Sequence, residues 1–558
     1  MRRRAAEAWA IVGIAMLVAN AAWSAPLPGG EESRTPAVAK SLSGRALASQ
    51  SSALIALDPL PLARAKTLDP LPQDDGAQQI GIARAVPAHS SPAAMSALRW
   101  MPATDGSLAA AFTVSSPAAA ALRVAIAVPG APRGTRLGFA RGEGEPFFEI
   151  ADSAAVTWGP VIAGDSQLIQ VMLPAGADPR QVRVVVDGVS HLVSDPSVAA
   201  PAIPGPKSAA SCQQDVACAP ASEALSRAVR SVAKIVYTVN GNTYSCTGTL
   251  VNDAQAATQI PYVLTAKHCI DSPAAAATVN SFWFLEAASC GGKAGAQAVQ
   301  LTKGARLLHA GTLSDMALIR LNEPAPAGAW FSAIDASPPS AGDTGVAVHH
   351  PSGGLKKVSS GRIVGAAEGT AGRLVSMAWL AGSTEPGSSG SALFTERGGQ
   401  YVVRGTLRGG SASCSNSGLV EDPANRDYYE RLDADAAAIQ SHLLAAAAPL
   451  EDYTDLWIVP GQPGTGISVT QHASNATFIV WFHYDPLGQP TWITVPGGTW
   501  TASDTFTGTL YRARRPGGAV AVEPAGMATF TFSARDRANV SYTLDGRTEQ
   551  LALERQLF

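Results

Sequence analysis

Charge is scarce in this sequence. Asp, Glu, Lys and Arg make up 15% of the 558 residues, against about a quarter in an ordinary globular chain, so no long solvated acidic or basic tail is encoded. What charge there is nearly cancels, with 41 basic residues against 44 acidic ones for a net −3. That balance excludes nucleic acid as the main partner, because phosphate binding needs a concentrated basic field. Lysine is rarer still: nine residues against 32 arginines, with none between Lys66 and Lys207 and none after Lys357. A coding bias toward Arg and Ala accounts for the scarcity, though not for the placement of each lysine. Long apolar runs are also missing. The one near the start, Ala8–Val18, falls short of the ~20 residues a membrane-spanning helix needs. Cysteine is absent before Cys212 and after Cys414.

What is present at the N-terminus is an export signal by layout. Basic Met1–Arg4, the apolar run and the small residues Ala19–Ala22 predict a signal peptide over 1–25 with cleavage within 19–25. No cysteine lies near that point to carry a lipid. The mature protein is therefore expected to be secreted, extracellular or periplasmic, without a stable membrane anchor. In an oxidising compartment, the six cysteines at 212, 218, 246, 269, 290 and 414 predict three disulfides and one stapled domain. Spacing alone leaves 15 pairings open. A metal site would need close Cys/His pairs, and only His268 and Cys269 are adjacent.

At about 100–200 residues per domain, the length suggests three or four folding units, and composition divides the chain accordingly. Residues 26–90 are rich in Ala, Pro and Ser without periodicity and read as a flexible leader. Residues 91–200 hold short apolar runs such as Leu122–Val128 between Gly/Pro/Asp turns, which predicts β-sandwich-like pairing. Pro201–Pro206 is a stiff linker, and 208–447 carries every cysteine. Its end, Asp433–Ala447, reads as a helix with acidic residues in the first turn. A second linker lies near Ala448–Asp452, and 453–558 returns to short strands.

Three fragments of the cysteine segment carry chemistry. Tyr262-Val-Leu-Thr-Ala-Lys-His268-Cys269 ends an apolar strand in a His. Ser314-Asp315-Met-Ala-Leu-Ile-Arg-Leu321 opens a strand on an Asp. Glu385-Pro-Gly-Ser-Ser389-Gly-Ser-Ala-Leu393 sets a Ser among glycines. A hydroxyl is a weak nucleophile at neutral pH, so Ser389 needs His268 as a base, with Asp315 orienting the imidazole. Gly387 would let its own N–H and that of Ser389 converge on a developing oxyanion.

The His, Asp, Ser order and these flanks resemble the chymotrypsin-like serine endopeptidases. Within them the chain resembles the bacterial lysyl endopeptidases, which are exported with a long propeptide. The likeness runs from Ser211 to Leu444 through Ser-Cys-x5-Cys (211–218), Cys-Thr-Gly-Thr-Leu-Val (246–251), His-His-Pro (349–351), Thr-Glu-Pro-Gly-Ser-Ser-Gly-Ser (384–391) and Gly-Gly-x3-Cys (409–414). It implies a mainly β fold: a double six-stranded β-barrel with a C-terminal helix, flanked by a β-rich propeptide and a β-rich C-terminal domain. It implies a peptide-bond hydrolase acting on protein or peptide substrates, with no cofactor and no metal. It also implies the pairs Cys212–Cys414, Cys218–Cys290 and Cys246–Cys269, of which the first should contribute roughly 4–5 kcal/mol by closing its long loop. Substrate would add as a strand along Thr406–Gly409.

One place departs from trypsin, where an Asp before the nucleophile pairs with a freshly cut N-terminus. Ser388 stands there, so that switch is absent. The resemblance then implies that 26–207 is an inhibitory, folding-assisting propeptide and a partner of the protease. Lys207, which ends the linker just before Ser208, falls at the expected boundary, so a lysine-specific enzyme could release itself there. For specificity, Asp427 in Asp427-Tyr-Tyr-Glu-Arg431 is the expected floor of a pocket for Lys or Arg, with Trp379 as a wall. Arg408 replaces the subgroup's His; by pairing with Asp427 it would turn the preference toward Glu, which leaves a glutamyl endopeptidase open. A non-catalytic binding protein on a degenerate protease scaffold is the other open reading. His349 and His350 are assigned to the fold, and His309 to the surface. Trp481-Phe-His-Tyr484, with Trp492 and Trp500, forms a candidate aromatic face for glycan or cell wall.

Overall fold

The computed structural model describes residues 30–33, 53–61, 76–86, 98–103, 106–141, 147–150, 155–197, 209–254, 259–296, 298–367, 373–443, 449, 452–471, 476–485, 488–502, 504–514, 521–534 and 536–556. The expected signal segment, the linker 201–206 and the Lys207–Ser208 boundary lie outside these residues. The fold is mainly β, in two compact units, one of 1–252 with 261–443 and one of 253–260 with 444–558.

The first unit begins with a sandwich. One sheet orders strands Leu54–Ala56, Leu108–Ser115, Ser166–Leu173, Arg136–Ala140 and Phe147–Ile150. Facing it are Val185–Leu192, Ala121–Ala127 and Val156–Trp158. Phe112, Val114, Phe139 and Val171 of the first sheet meet Val124, Ile126 and Val186 of the second in one buried core. Strand Ala121–Ala127 is buried on both faces, so it reads as an apolar run rather than an alternation. Its inward face joins the sandwich core, while Ala121 packs with Val236 and Phe282 of the next domain.

Strand Gln78–Arg84 ties the two domains together. On one edge it pairs antiparallel with Val185–Leu192; on the other, Gln78, Gln79 and Gly81 pair with Ser245, Tyr244 and Thr243. Gly81 permits this approach, since a Cβ there would lie 2.8 Å from Ser190 Oγ and 2.9 Å from Thr243 Cβ. The expected flexible leader is corrected here: Leu54–Ala56 and Gln78–Arg84 within it are strands. Their pairing partners lie far away in sequence, which composition cannot register.

Strands Asn280–Trp283, Val232–Val239, Asn242–Val251, Tyr262–Ala266, Met316–Leu321 and Ala305–Ala310 follow in ladder order as the first barrel. Lys357–Ala366, Thr344–His349, Ala392–Arg397, Gln400–Gly410, Asp427–Arg431 and Leu374–Ala381 form the second, and the first and last of these pair to close the ring. Helix Glu223–Ser231 is capped by Ser222, whose hydroxyl accepts from Leu225 N–H. At the C-terminal end a 3₁₀ turn, Leu432–Asp435, leads into helix Ala436–Leu443. Disulfides join Cys212 to Cys414, Cys218 to Cys290 and Cys246 to Cys269.

The second unit is a closed ring of eight strands between Asp455 and Arg555, with Gly498–Ala502 as an extra edge strand. Its core stacks Tyr453 on Phe532 and sets Trp457 and Trp500 around them. Trp481 and Trp500 are buried, so they leave the expected aromatic face. Phe482, Tyr484 and Trp492 remain exposed, and Phe482 lies directly across from Trp492.

Two cations are buried where the sandwich meets the first barrel. Arg123 reaches from the sandwich to Thr238 Oγ1 at 2.9 Å and Thr278 O at 2.7 Å, and burial lowers its pKa to about 9. Lys234, from the barrel, donates to Pro196 O at 2.6 Å; burial lowers it to about 7, against the opposing pull of Asp195. Unfolding returns Lys234 to its ordinary value of 10.5. Between pH 7 and 10.5 the unfolded chain therefore binds a proton that the folded chain does not, so stability rises with pH through that window. Lys234→Met should flatten the rise by up to one proton, read as a smaller shift of the urea midpoint between pH 7 and 10. An unchanged slope would contradict the burial argument.

Candidate active site

Adjacent strands bring the first two residues together. Tyr262–Ala266 and Met316–Leu321 run antiparallel with Ala266 opposite Met316, so His268 and Asp315, just beyond the ends, fall side by side. Lys267 N–H donates to Asp315 O at 3.0 Å and fixes that corner. His268 N–H donates to Asp315 Oδ1 at 2.8 Å, and His268 Nδ1 lies 2.5 Å from Asp315 Oδ2. With Nδ1–H donated to the carboxylate, Nε2 is the basic nitrogen. It is buried and makes no hydrogen bond among the described residues.

Ser389 comes from the second barrel. Thr247 N–H donates to Ser389 O at 2.9 Å, and Thr247 Oγ1 donates to Gly387 O at 2.9 Å. These two bonds stitch the serine loop to the barrel that carries His268. Gly390, with φ +79, is required by the same contact: a Cβ there would sit 2.3 Å from Thr265 Oγ1 and 2.5 Å from Ala266 N. Gly387 has φ +94, which only glycine adopts cheaply. Its N–H donates at 3.0 Å to the carbonyl oxygen of Gly76. Ser389 Oγ and His268 Nε2 both face the α-carbon of that same glycine, a Cβ on which would lie 2.3 Å and 3.2 Å from them. An oriented imidazole, a hydroxyl and a backbone donor on one small region of space can carry out acyl transfer by nucleophilic attack.

The serine loop is held by groups that sequence reasoning gave to the fold or only set against trypsin. Ser359 Oγ donates to Ser383 O at 2.9 Å, so it accepts from His349 Nε2–H at 3.0 Å. His349 Nδ1 then accepts from Ser388 Oγ at 2.7 Å, and Ser388 Oγ accepts from Glu385 N–H at 3.1 Å. Burial, reinforced by nearby Lys357, lowers the His349 pKa to about 3, which keeps the ring neutral as this one-way chain requires. Ser388 thus anchors the loop through a neutral histidine, where trypsin uses a carboxylate.

Asp427 is buried on strand Asp427–Arg431. Its Oδ2 accepts from Trp379 Nε1 at 2.6 Å and from Thr384 Oγ1 at 2.7 Å. Burial pushes its pKa up, while the bonds from Thr384 and Trp379 pull it down. Gly410 leaves room for the carboxylate, since a Cβ there would stand 2.3 Å from Asp427 Oδ1. Arg408 does not pair with Asp427; it is half exposed, and its Nη1 lies 3.5 Å from Glu430 Oε1. The expected pairing is corrected because Glu430 stands opposite Thr406, two residues from Arg408. Glu430 is buried, and burial pushes its pKa up; sequence reading missed it, since nothing local marks a strand Glu as buried. The expected substrate edge is also narrower. Thr406 pairs with Ala392, and Leu407 exchanges bonds with Gly390 and Ser391, which leaves Arg408 and Gly409 without a partner on that edge among the described residues. Cys246, His268 and Cys269 bring metal-ligand atoms within 4.8 Å, but the two sulfurs are joined to each other.

The C-terminal domain of lysyl endopeptidase matches residues 207–430, and the lysyl endopeptidase N-terminal domain matches 56–193. A lysyl endopeptidase of Pseudomonas aeruginosa is 33% identical over 406 residues, covering 70% of this chain and 85% of the relative. Among solved structures, the thermostable serine protease AL20 from an extremophilic microorganism aligns at 15% identity and TM-score 0.29, over 38% of this chain and 97% of its own. Protease Anisep from Arthrobacter nicotinovorans aligns at 20% identity and TM-score 0.29, over 39% and 97%.

Replacing Ser388 tests the loop anchor. Ser388→Ala strands His349 Nδ1 and Glu385 N–H without partners, at about 1–3 kcal/mol. The expected outcome is a fall in kcat of about tenfold with KM little changed, measured on a small ester substrate; an unaltered kcat would contradict the anchoring.

Proposed function

The chain belongs to the lysyl endopeptidase family, and from that premise we propose that this serine endopeptidase works through His268, Asp315 and Ser389 and cuts after lysine. Ser389 Oγ attacks the scissile carbonyl as His268 Nε2 takes its proton. Asp315 holds the ring and stabilises the imidazolium. The N–H groups of Gly387 and Ser389 receive the negative oxygen of the tetrahedral intermediate. His268 then protonates the leaving amine, and water, activated by the same ring, hydrolyses the acyl-enzyme. The observation that carries this reading is the His268 ring, bonded through Nδ1 to Asp315 at 2.5 Å, with its unengaged Nε2 and Ser389 Oγ both facing the α-carbon of Gly76.

Asp427 is the proposed counter-ion of the substrate side chain. A buried carboxylate is costly unless paired, and a lysyl ammonium supplies the pair. The engagement of Arg408 with Glu430 removes the reason for expecting cleavage after Glu. The position of Lys207 supports lysine, because cleavage at Lys207–Ser208 would free the protease from an N-terminal propeptide of residues 26–207. Three disulfides support an exported protein. In the C-terminal unit, Phe482, Tyr484 and Trp492 are the proposed carbohydrate-stacking face.

Lysyl, arginyl and glutamyl esters offered to the processed protein test the reading. Lysyl ester should turn over fastest, Ser389→Ala should abolish turnover, and Asp427→Asn should lower lysyl kcat/KM by 10²-fold or more, by about 3 kcal/mol for a lost buried ion pair. Equal turnover of the glutamyl ester, or activity surviving Ser389→Ala, would refute it.

A further inference from the structure

The strand that joins sandwich to barrel runs, at its N-terminal end, into the candidate active site. The carbonyl oxygen of Gly76 takes the Gly387 N–H at 3.0 Å, the donor proposed for the oxyanion. Ala77 is buried in the same cluster as Cys246, Val263 and Cys269. Gln78 and Gln79 continue antiparallel to Ser245 and Tyr244. A residue whose carbonyl occupies the oxyanion donor is in the acyl position, and the residues after it lie where a substrate's leaving half must lie. We infer that residues 76–84 are an inhibitory segment bound as an uncleaved pseudo-substrate, with Gly76 in the acyl position and 77–79 along the leaving-group side. This rests on the serine endopeptidase reading and names the element by which the N-terminal region would silence it.

Glycine at 76 explains why the segment is bound and not cut. It sends no side chain toward Asp427. Its φ of +56 turns the α-carbon to Ser389, so that a Cβ would collide with Oγ at 2.3 Å; the nucleophile meets a methylene. The leaving side is also pinned, since Gly81–Arg84 pair with Val189–Leu192 on the other edge. Ile80 is buried with Val236, Phe282 and Leu355. An amine released at Ala77 would stay in place to reseal the bond. The same edge, Thr243–Ser245, becomes the docking site for the leaving half of a substrate once this segment departs.

The test uses the full chain carrying Lys207→Gln to keep it intact, and reads the rate at which diisopropyl fluorophosphate labels Ser389. Adding Gly76→Val should raise that rate at least tenfold, because the side chain cannot share the space with Oγ. Equal rates with and without Gly76→Val would overturn the inference. A second measurement does not depend on folding of the variant: a peptide of residues 76–86 added to the processed enzyme should raise KM for a lysyl ester with kcat unchanged. The same peptide with Val at its first position should be at least tenfold weaker. Hydrolysis indifferent to both peptides would overturn the inference alone, whereas absence of both hydrolysis and labelling would overturn the endopeptidase reading beneath it.

Discussion

One strand, Gln78–Arg84, hydrogen-bonds to two domains at once, and much of the first unit depends on that sharing. Through Val185–Leu192 it belongs to the sandwich, and through Asn242–Val251 to the first protease barrel. Strand pairing is strict about register, because a slip of one residue turns every side chain to the other face. Fixing Gln78 opposite Ser245 therefore fixes where Gly76 falls, and Gly76 falls on the Gly387 N–H. Arg123, Lys234 and the pair Ser190–Thr243 fill the junction behind the strand with satisfied polar contacts, so the sandwich cannot shift without stranding buried groups.

The site itself is assembled by backbone approach more than by side-chain packing. Gly390 lets the serine loop close on the strand that leads to His268, Gly387 lets it close on the backbone of His350 and Gly353, and Thr247 bonds to the loop twice. The chain of bonds from Glu385 through Ser388, His349 and Ser359 to Ser383 leaves no member short of a partner, and a fully satisfied buried network is rigid. Such rigidity suits an oxyanion donor, whose value lies in being aimed before charge develops. It also means that latency, on this account, rests in the covering segment rather than in a disordered site.

What was legible in the sequence was chemistry with a local signature. A His ending an apolar strand, an Asp opening one and a Ser between glycines each announce themselves within a few residues. Where partners lie far apart, the sequence is silent. Gln78–Arg84 lacks a clean alternation and sits in Ala/Pro-rich surroundings, so it looked like leader. Ser388 could be seen not to be an Asp, but its bond to His349 spans 39 residues. Arg408 and Glu430 meet only because two strands pair. In the C-terminal unit the alternation along Thr477–Tyr484 does separate buried Trp481 from exposed Phe482 and Tyr484, and reading the run as one aromatic face overlooked that period of two.

The account stands on one arrangement: an imidazole with its Nε2 free, a serine on the same small region of space, and buried Asp427 as the proposed floor of the substrate pocket. Lysyl chloromethyl ketone interrogates all of it in one reaction, since the pocket must accept the lysyl side chain before the histidine nitrogen can displace chloride. Mass mapping of the processed protein after treatment should find a single adduct, on His268, with the phenylalanyl reagent leaving the protein unmodified at the same concentration. An adduct elsewhere, equal labelling by the phenylalanyl reagent, or no adduct on His268 would contradict it.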